Sequence, residues 1–328
     1  MIRLGPTTAS ALAIATLLVG PEIARADVTF TFATTNGVED LSSQAILRWK
    51  EALEERSNGA IKMDFVSGGA LGGDQQLLQQ LATNEIQAHV AGPVVVHRLL
   101  QPYQCLEAEY VYDDEDHGYR VWTGDLGQEV SKALEDQYGI TIIGVGKRGA
   151  RHITANKPIR TPEDMQGVKI RVTNNLRSEI FSAMGALPGP LPISELYGGL
   201  RQGVFEAQEN PIPTIWGNRF YEVQDTINLT GHVWSYNVIS ANAEFLESMS
   251  AEEREIFDET LAEAIAWLNE AVDTETGALL DKMVAEGGIE VVEPDVAAFK
   301  AIAEPIVESF AAENCRPRLL EDIRAAAK

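Results

Sequence analysis

The sequence has few of the residues that most catalytic and metal centres need. Its 328 residues include five histidines and two cysteines. No two histidines have the spacing of a zinc site on a helix, and none stands beside a cysteine. A G-x-S-x-G nucleophile motif and a phosphate-binding loop ending in Lys-Ser or Lys-Thr are also missing. We therefore expect no metal, no cofactor and no catalytic residue, and we predict that the protein is not an enzyme.

One glycine pattern has the spacing of a dinucleotide-binding motif but lacks its context. Gly144, Gly146 and Gly149 match G-x-G-x-x-G after a predicted strand. In a dinucleotide site a helix begins within the motif, so that the N-terminus of the helix meets the pyrophosphate. Here residues 151–154 and Pro158 predict extended chain instead. We interpret these glycines as a flexible crossover between two lobes.

Basic residues are scarce. The chain has 26 Lys and Arg against 49 Asp and Glu, which gives a formal charge of −23. Such a surface repels nucleic acid and anionic membranes and favours a soluble monomer, so we expect no nucleic-acid partner. A site for an anionic ligand would need local positive charge of its own. After residue 26, no apolar run reaches the roughly 18 residues that a membrane-spanning helix needs.

The first 26 residues have the pattern of a secretory signal peptide. Arg3 precedes a short apolar run over residues 11–20, and residues 24–26 have the A-x-A pattern of a cleavage site. We predict cleavage after Ala26 and a periplasmic location.

The two cysteines are Cys105 and Cys315. In an oxidising compartment an even number of cysteines permits one disulfide. Two separate buried thiols are the alternative, and the spacing does not decide between them.

Predicted strands and helices alternate along the chain, which indicates an α/β fold. The length exceeds what one hydrophobic core usually takes, so we expect two domains. Residues 250–253 form a capping box at the start of a helical pattern that continues to residue 286. A helix of about 36 residues spans more than 50 Å and is long enough to cross both domains.

Two polar positions stand out as candidate ligand contacts. Arg171 lies within an apolar strand over residues 168–172, where it is either on an exposed face or directed into a cleft. A guanidinium matches a carboxylate with two parallel hydrogen bonds. Asn210, in the Q-E-N-P sequence of residues 208–211, is placed to cap the next helix or to bind a ligand.

Several motifs in order resemble one family, the DctP-type substrate-binding subunits of tripartite ATP-independent periplasmic (TRAP) transporters. They are TPEDMQGVKIRV at 161–172, MGALP at 184–188, SELY at 194–197, GVFEAQENP at 203–211, FYEVQ at 220–224 and TGH at 230–232. The resemblance covers almost all of the chain after residue 26.

The resemblance implies a two-lobed periplasmic binding protein fold, with a long helix spanning both lobes and a central ligand cleft. We predict that lobe 1 comprises residues 27–148 plus about 238–275, and that lobe 2 comprises 149–237 plus about 276–328. The implied function is capture of a small organic anion, a carboxylate, sugar acid, keto acid or sulfonate, and its delivery to TRAP membrane subunits. A periplasmic ligand-sensing adaptor and a periplasmic enzyme are the alternatives.

The resemblance also assigns ligand contacts residue by residue. The implied contacts are Arg171, Arg151, Asn210, Asn174, Thr35 and Asn36. Sialic-acid-binding members carry a Glu where this chain has Ala91-Gly92-Pro93, which argues against a large amino-sugar ligand. An aromatic wall with a nearby amide is a further hypothesis, with burial in the core as the alternative for each residue. Its members are Trp216, Trp234, Tyr236 and Asn237.

Overall fold

A nine-stranded mixed sheet runs through the computed structural model, which describes residues 1–2 and 28–327. The predicted signal peptide and its cleavage site lie outside the described residues. The strands are β1 (Val28–Ala33), β2 (Ile61–Val66), β3 (Ala88–Ala91), β4 (Ile140–Ala155), β5 (Lys169–Val172), β6 (Leu187–Pro190), β7 (Ala207–Pro211), β8 (Thr226–Asn242) and β9 (Glu290–Val292).

Helices cover the sheet. They are α1 (Leu41–Arg56), α2 (Asp74–Ala82), α3 (Val94–Arg98), α4 (Glu115–Thr123), α5 (Asp125–Tyr138), α6 (Asn175–Ala183), α7 (Ile193–Arg201), α8 (Ile212–Gly217), α9 (Ala243–Ser248), α10 (Ala251–Gly287), α11 (Val296–Asn314) and α12 (Leu319–Ala325). Short 3-10 helices lie at Gln101–Glu107, Pro162–Met165 and Phe220–Glu222. Among the described helices, none is long and apolar enough to cross a bilayer.

The strand order is β2-β1-β3-β8-β4-β7-β5-β6, with β9 beside β8. The two central strands, β4 and β8, are 16 and 17 residues long and pair antiparallel from one end of the sheet to the other. Parallel strands β1 and β2 lie on one side of this pair, and β5 and β6 lie on the other. The long pair therefore joins two halves of one continuous sheet.

The first half of the molecule has an aromatic core. Phe30 and Phe32 alternate along β1 and pack against Trp49 of α1, with Phe257 of α10 closing the cluster. Asp40 starts α1 by accepting a hydrogen bond from the Ser42 N–H. Burial of such side chains contributes roughly 1.5–3 kcal/mol each.

The long helix α10 is continuous over 37 residues, about 55 Å. It begins at a Ser250 capping box and ends at Gly288 in a left-handed conformation, as a helix C-terminus favours. Phe257 near its start packs in the aromatic core around β1, and Met283 near its end packs with α7 and α8. The predicted long helix that spans both halves is confirmed.

The glycine motif is not a flexible crossover. Gly144 and Gly146 lie inside β4, hydrogen-bonded to β8, and α10 crosses them closely. A Cβ added at Gly144 would lie 2.4 Å from Cδ1 of Ile265, and one at Gly146 would lie 2.7 Å from Cδ2 of Leu268. The glycines are thus needed for close packing of the helix on the strand.

Cys105 and Cys315 are joined by a disulfide, with Cα atoms 6.3 Å apart. The bond links the 3-10 helix at Gln101–Glu107 to the residue after α11, across 210 positions of sequence. Next to it, the Arg316 N–H donates to the Pro102 carbonyl at 2.8 Å. The C-terminal segment is therefore attached covalently to the first half of the chain.

Candidate functional site

A cavity of about 590 Å³ opens between the two halves of the sheet. The loop after β1, the start of α2 and the loop before α3 line it from one side. The end of β5 and the segment after β6 line it from the other. Strand β4 contributes arginines, and β7 contributes Asn210.

Arg171 of β5 lines this cavity and is 6% exposed. Its Nε donates to the Leu191 carbonyl at 2.8 Å, and its two terminal amino groups have no hydrogen-bond partner among the described residues. Burial lowers the pKa of the guanidinium to about 10, against the attraction of Glu209. The side chain therefore holds a cation in place with two donors available to a ligand.

Arg151 of β4 lies beside Asn210 of β7 because the two strands pair antiparallel. Its guanidinium bonds the Glu209 side chain, the Glu209 carbonyl at 2.6 Å and Oδ1 of Asn210 at 3.1 Å. Burial opposes ionisation of Glu209, but the charges of Arg151 and Arg177 outweigh it and hold the pKa of this carboxyl well below its usual range. Arg151 is thus a cation whose charge the protein already balances.

A third arginine, Arg148, reaches the cavity and was not predicted. Residues three apart in a regular strand point to opposite faces, which would separate Arg148 from Arg151. The pairing of β4 with β8 shifts register between Lys147 and Gly149, a β-bulge with Gly149 at a φ of +90°. The bulge turns both arginines toward the cavity. In the sequence, the only signal of this bulge is Gly149, which follows Lys147 and Arg148.

Thr35 and Asn36, predicted from the resemblance, both line the cavity. The Thr35 hydroxyl donates to Oδ1 of Asp74 at 2.7 Å. Asn36 accepts from Arg148 at 3.3 Å and donates to the Ser42 hydroxyl at 2.8 Å. These contacts join the loop after β1 to Asp74 of α2 and to Arg148 of β4.

Two further predicted contacts lie away from the cavity. Asn174 caps α6, where its side chain accepts from the Arg177 N–H at 2.9 Å. Trp216 stacks on Tyr221 with ring centroids 5.2 Å apart. Each side chain is engaged in local structure, and neither residue lines this cavity.

The remainder of the predicted aromatic wall is also absent from the cavity. Tyr236 is fully buried in the core and donates to the Glu115 carbonyl at 2.6 Å. Asn237 donates to the Lys147 carbonyl at 2.9 Å, and Trp234 packs against the hydrophobic core. Strand β8 is central in the sheet, and both of its faces are covered, so its aromatic side chains are structural.

A layer of buried charges lies behind the cavity. Arg177 is fully buried and donates to Oε1 of Glu109 at 2.9 Å, to Oε1 of Glu209 at 3.4 Å and to the Glu107 carbonyl at 3.2 Å. Glu107 also bonds Nε2 of His97 at 2.7 Å. Burial opposes ionisation of Glu107, but the bond from His97 and the charge of Arg177 together lower its pKa. In the described part of the chain, no group of acidic, histidine or cysteine side chains could hold a metal ion.

Comparison with known sequences finds one family along most of the chain. The profile of bacterial extracellular solute-binding protein family 7 (DctP) matches residues 32–314. The sialic acid-binding periplasmic protein of Vibrio cholerae is 28% identical over 261 residues, which cover 79% of this chain and 81% of that protein. The 2,3-diketo-L-gulonate-binding periplasmic protein of Escherichia coli is 27% identical over 250 residues, 76% of each chain.

Solved structures of TRAP periplasmic solute-binding proteins are also similar to this chain. A TRAP periplasmic solute-binding protein from Ochrobactrum anthropi with bound L-fuconate has a TM-score of 0.85 and 28% identity, covering 92% of this chain and 100% of that one. One from Shewanella oneidensis with bound succinate has a TM-score of 0.86 and 25% identity, with the same coverage.

Proposed function

The chain belongs to bacterial extracellular solute-binding protein family 7 and is a TRAP-type solute-binding protein, and from this we propose that its cleft captures a small organic carboxylate through Arg171. As in the rest of the family, the captured acid is delivered to TRAP membrane subunits. The observation that carries the proposal is the buried Arg171 guanidinium, whose two terminal amino groups have no partner among the described residues.

The geometry supports a paired contact. Because the Arg171 Nε is held by the Leu191 carbonyl, the remaining fork of two amino groups matches the two oxygens of a carboxylate. Arg151 of β4 and Asn210 of β7 support this contact, in a cavity lined by polar groups from both halves of the sheet. Two or three charge-assisted hydrogen bonds, at roughly 1.5–3 kcal/mol each, are consistent with affinity of about 1 μM.

The proposal is tested by a thermal-shift screen of residues 27–328 against small carboxylates and sulfonates. An acid present at about 100 times its dissociation constant adds about 2.7 kcal/mol, which raises the Tm by several degrees. Mass spectrometry of small molecules released on denaturation identifies a retained endogenous ligand. A screen without any shift, combined with no released acid, contradicts the proposal.

Export, oligomeric state and lobe division belong to the same proposal. Members of the family are periplasmic, and we propose a monomer that is cleaved after Ala26 and divided into the lobes given above. Intact-mass measurement of the periplasmic protein tests the cleavage site, and light scattering tests the monomer. Small-angle scattering with and without ligand tests whether these lobes close as rigid bodies.

Binding without turnover separates this function from a periplasmic enzyme. The matching family and the relatives and solved structures named above are all described as binding or solute-binding proteins. We propose that a bound acid is recovered unchanged after prolonged incubation, as NMR of the released ligand would show. A sensing adaptor would bind the same acid but would not support its uptake when expressed with TRAP membrane subunits.

A further inference from the structure

The wall of the cavity opposite β5 carries the carboxylate of Asp74, the first residue of α2. Oδ1 of Asp74 accepts from the Thr35 hydroxyl at 2.7 Å. Oδ2 accepts no hydrogen bond from any residue that the structure describes, and the side chain is partly buried. An acceptor that carries negative charge is therefore available at this wall.

The other carboxylates that line the cavity differ from Asp74. Glu107 already bonds His97 at 2.7 Å and the Ser235 hydroxyl at 2.9 Å. Glu195, in α7, is exposed to solvent. Asp74 is therefore the partly buried carboxylate of this cavity with an oxygen left for a ligand.

The buried arginines of the cavity leave room for one anionic group, and Arg98, which also lines the cavity, is exposed to solvent. Arg151 is balanced by Glu209, and Arg148 is linked to Asp40 through the Thr214 hydroxyl, which donates to Oδ2 of Asp40 at 3.0 Å. In the described part of the chain, Arg171 has no carboxylate bonded to it. One ligand carboxylate therefore completes the balance at Arg171.

Asp74 acts electrostatically on two arginines of the cavity, Arg148 and Arg171. Burial lowers the pKa of Arg148 and of Arg171, and the charge of Asp74 opposes that change at both residues. A second acidic group on the ligand would meet this negative charge, and like charges brought together are unfavourable. A hydroxyl group would instead donate to Oδ2 of Asp74.

We propose that Asp74 determines specificity: it selects monocarboxylates that carry hydroxyl groups and rejects dicarboxylates of the same length. This inference rests on the proposed function, because it takes one carboxylate to be bound at Arg171. Hydroxylated monocarboxylates and dicarboxylates could both bind the arginines through a carboxylate. The proposal assigns the first class, hydroxy acids of the sugar-acid type, to this cleft.

Pairs of aldonates and aldarates test the proposal, since the members of a pair differ only in a terminal CH2OH or carboxylate. Calorimetry would compare erythronate with meso-tartrate, and galactonate with galactarate. We expect the wild-type protein to bind the better aldonate at least tenfold more tightly than its aldarate. Asp74→Asn should reduce that ratio at least fivefold, because the amide still hydrogen-bonds but carries no charge.

A matched control is Asp125→Asn. Asp125 is also the first residue of a helix after a capping glycine, but it is exposed and lies outside the cavity. It should leave the ratio unchanged.

An aldarate bound as tightly as its aldonate, or a ratio that Asp74→Asn does not change, overturns the specificity proposal. Binding of succinate without binding of any aldonate also overturns it, while the proposed function stands. Arg171→Lys separates the two failures: if it leaves every affinity unchanged, carboxylate capture at Arg171 is itself wrong.

Discussion

Two buried arginines, Arg171 at the cleft and Arg177 in the layer behind it, contrast in what surrounds them. Arg177 donates to carboxylates and a carbonyl of the protein, and is 0% exposed. Arg171 is 6% exposed and bonds one carbonyl. Both residues are arginines and both are buried, so what distinguishes them is their hydrogen-bond partners. A guanidinium that the protein satisfies maintains the fold, and one that it leaves incomplete is available to a ligand.

The same substitution at both positions should give opposite results. Arg177→Met leaves Glu109 without its cation and removes one of the two arginines that pair with Glu209, and breaking a buried ion pair costs about 3–5 kcal/mol. Arg171→Met removes a buried charge without a bonded carboxylate, so the unliganded protein should keep or gain stability. Urea unfolding of both variants without ligand measures this. Equal losses of stability would remove the distinction between the two arginines.

The disulfide extends the comparison to the periphery of the fold. Cys105→Ser with Cys315→Ser opens a link across 210 positions, and we expect a loss of about 2–5 kcal/mol in the free energy of unfolding. Since neither cysteine lines the cavity, the affinity for ligand should stay within about twofold of the wild type. A large loss of affinity at a temperature where the variant is folded would show that the link shapes the cleft.

Ligand affinity should be sensitive even to a conservative substitution of Arg171. Arg171→Lys keeps the charge but replaces a planar fork by a point charge, so affinity should fall about 10- to 100-fold, corresponding to roughly 1.5–3 kcal/mol. The Tm without ligand should hardly change. The exposed Arg201→Lys on α7 is the matched control. Calorimetry that finds equal affinities for the two variants would contradict the role of Arg171.

A smaller effect concerns the bulge that places Arg148. The Gly149 N–H donates to Oε1 of Glu115 at 3.0 Å, and burial raises the pKa of Glu115 to about 7, against the attraction of Lys147. A raised pKa means that folding favours the protonated carboxyl. This contribution is present below pH 4.5 and is lost as the pH rises through 7.

Glu115→Gln tests that contribution. The stability of the wild type relative to the variant should fall by about 1 kcal/mol between pH 4.5 and 5.5. Denaturant unfolding across this pH range measures the difference, and a flat difference would show that Glu115 does not titrate in the folded protein.

Much of the fold could be predicted from the sequence because its signals are local. The capping box at Ser250 and the apolar pattern after it gave the long helix, and ordered motifs gave the family. The cavity contains Arg171, Arg151, Asn210, Thr35 and Asn36, all of which the resemblance had assigned.

The rest depends on packing between distant segments. Arg148 reaches the cavity through a bulge, and strand alternation alone would have placed it on the opposite face from Arg151. Tyr236 and Trp216 have side chains suited to a binding wall or to a core, and only the neighbours that cover them decide which. Asp74 is not among the residues predicted from the sequence, because its place in the cavity wall depends on distant segments that fold together.

The most direct test of the account is a crystal structure of residues 27–328 with the acid that gives the largest thermal shift. We predict that both carboxylate oxygens lie about 2.7–2.9 Å from the terminal amino groups of Arg171, with Arg151 and Asn210 beside them. A ligand whose carboxylate lies elsewhere in the cavity, with Arg171 left without it, would contradict the central claim.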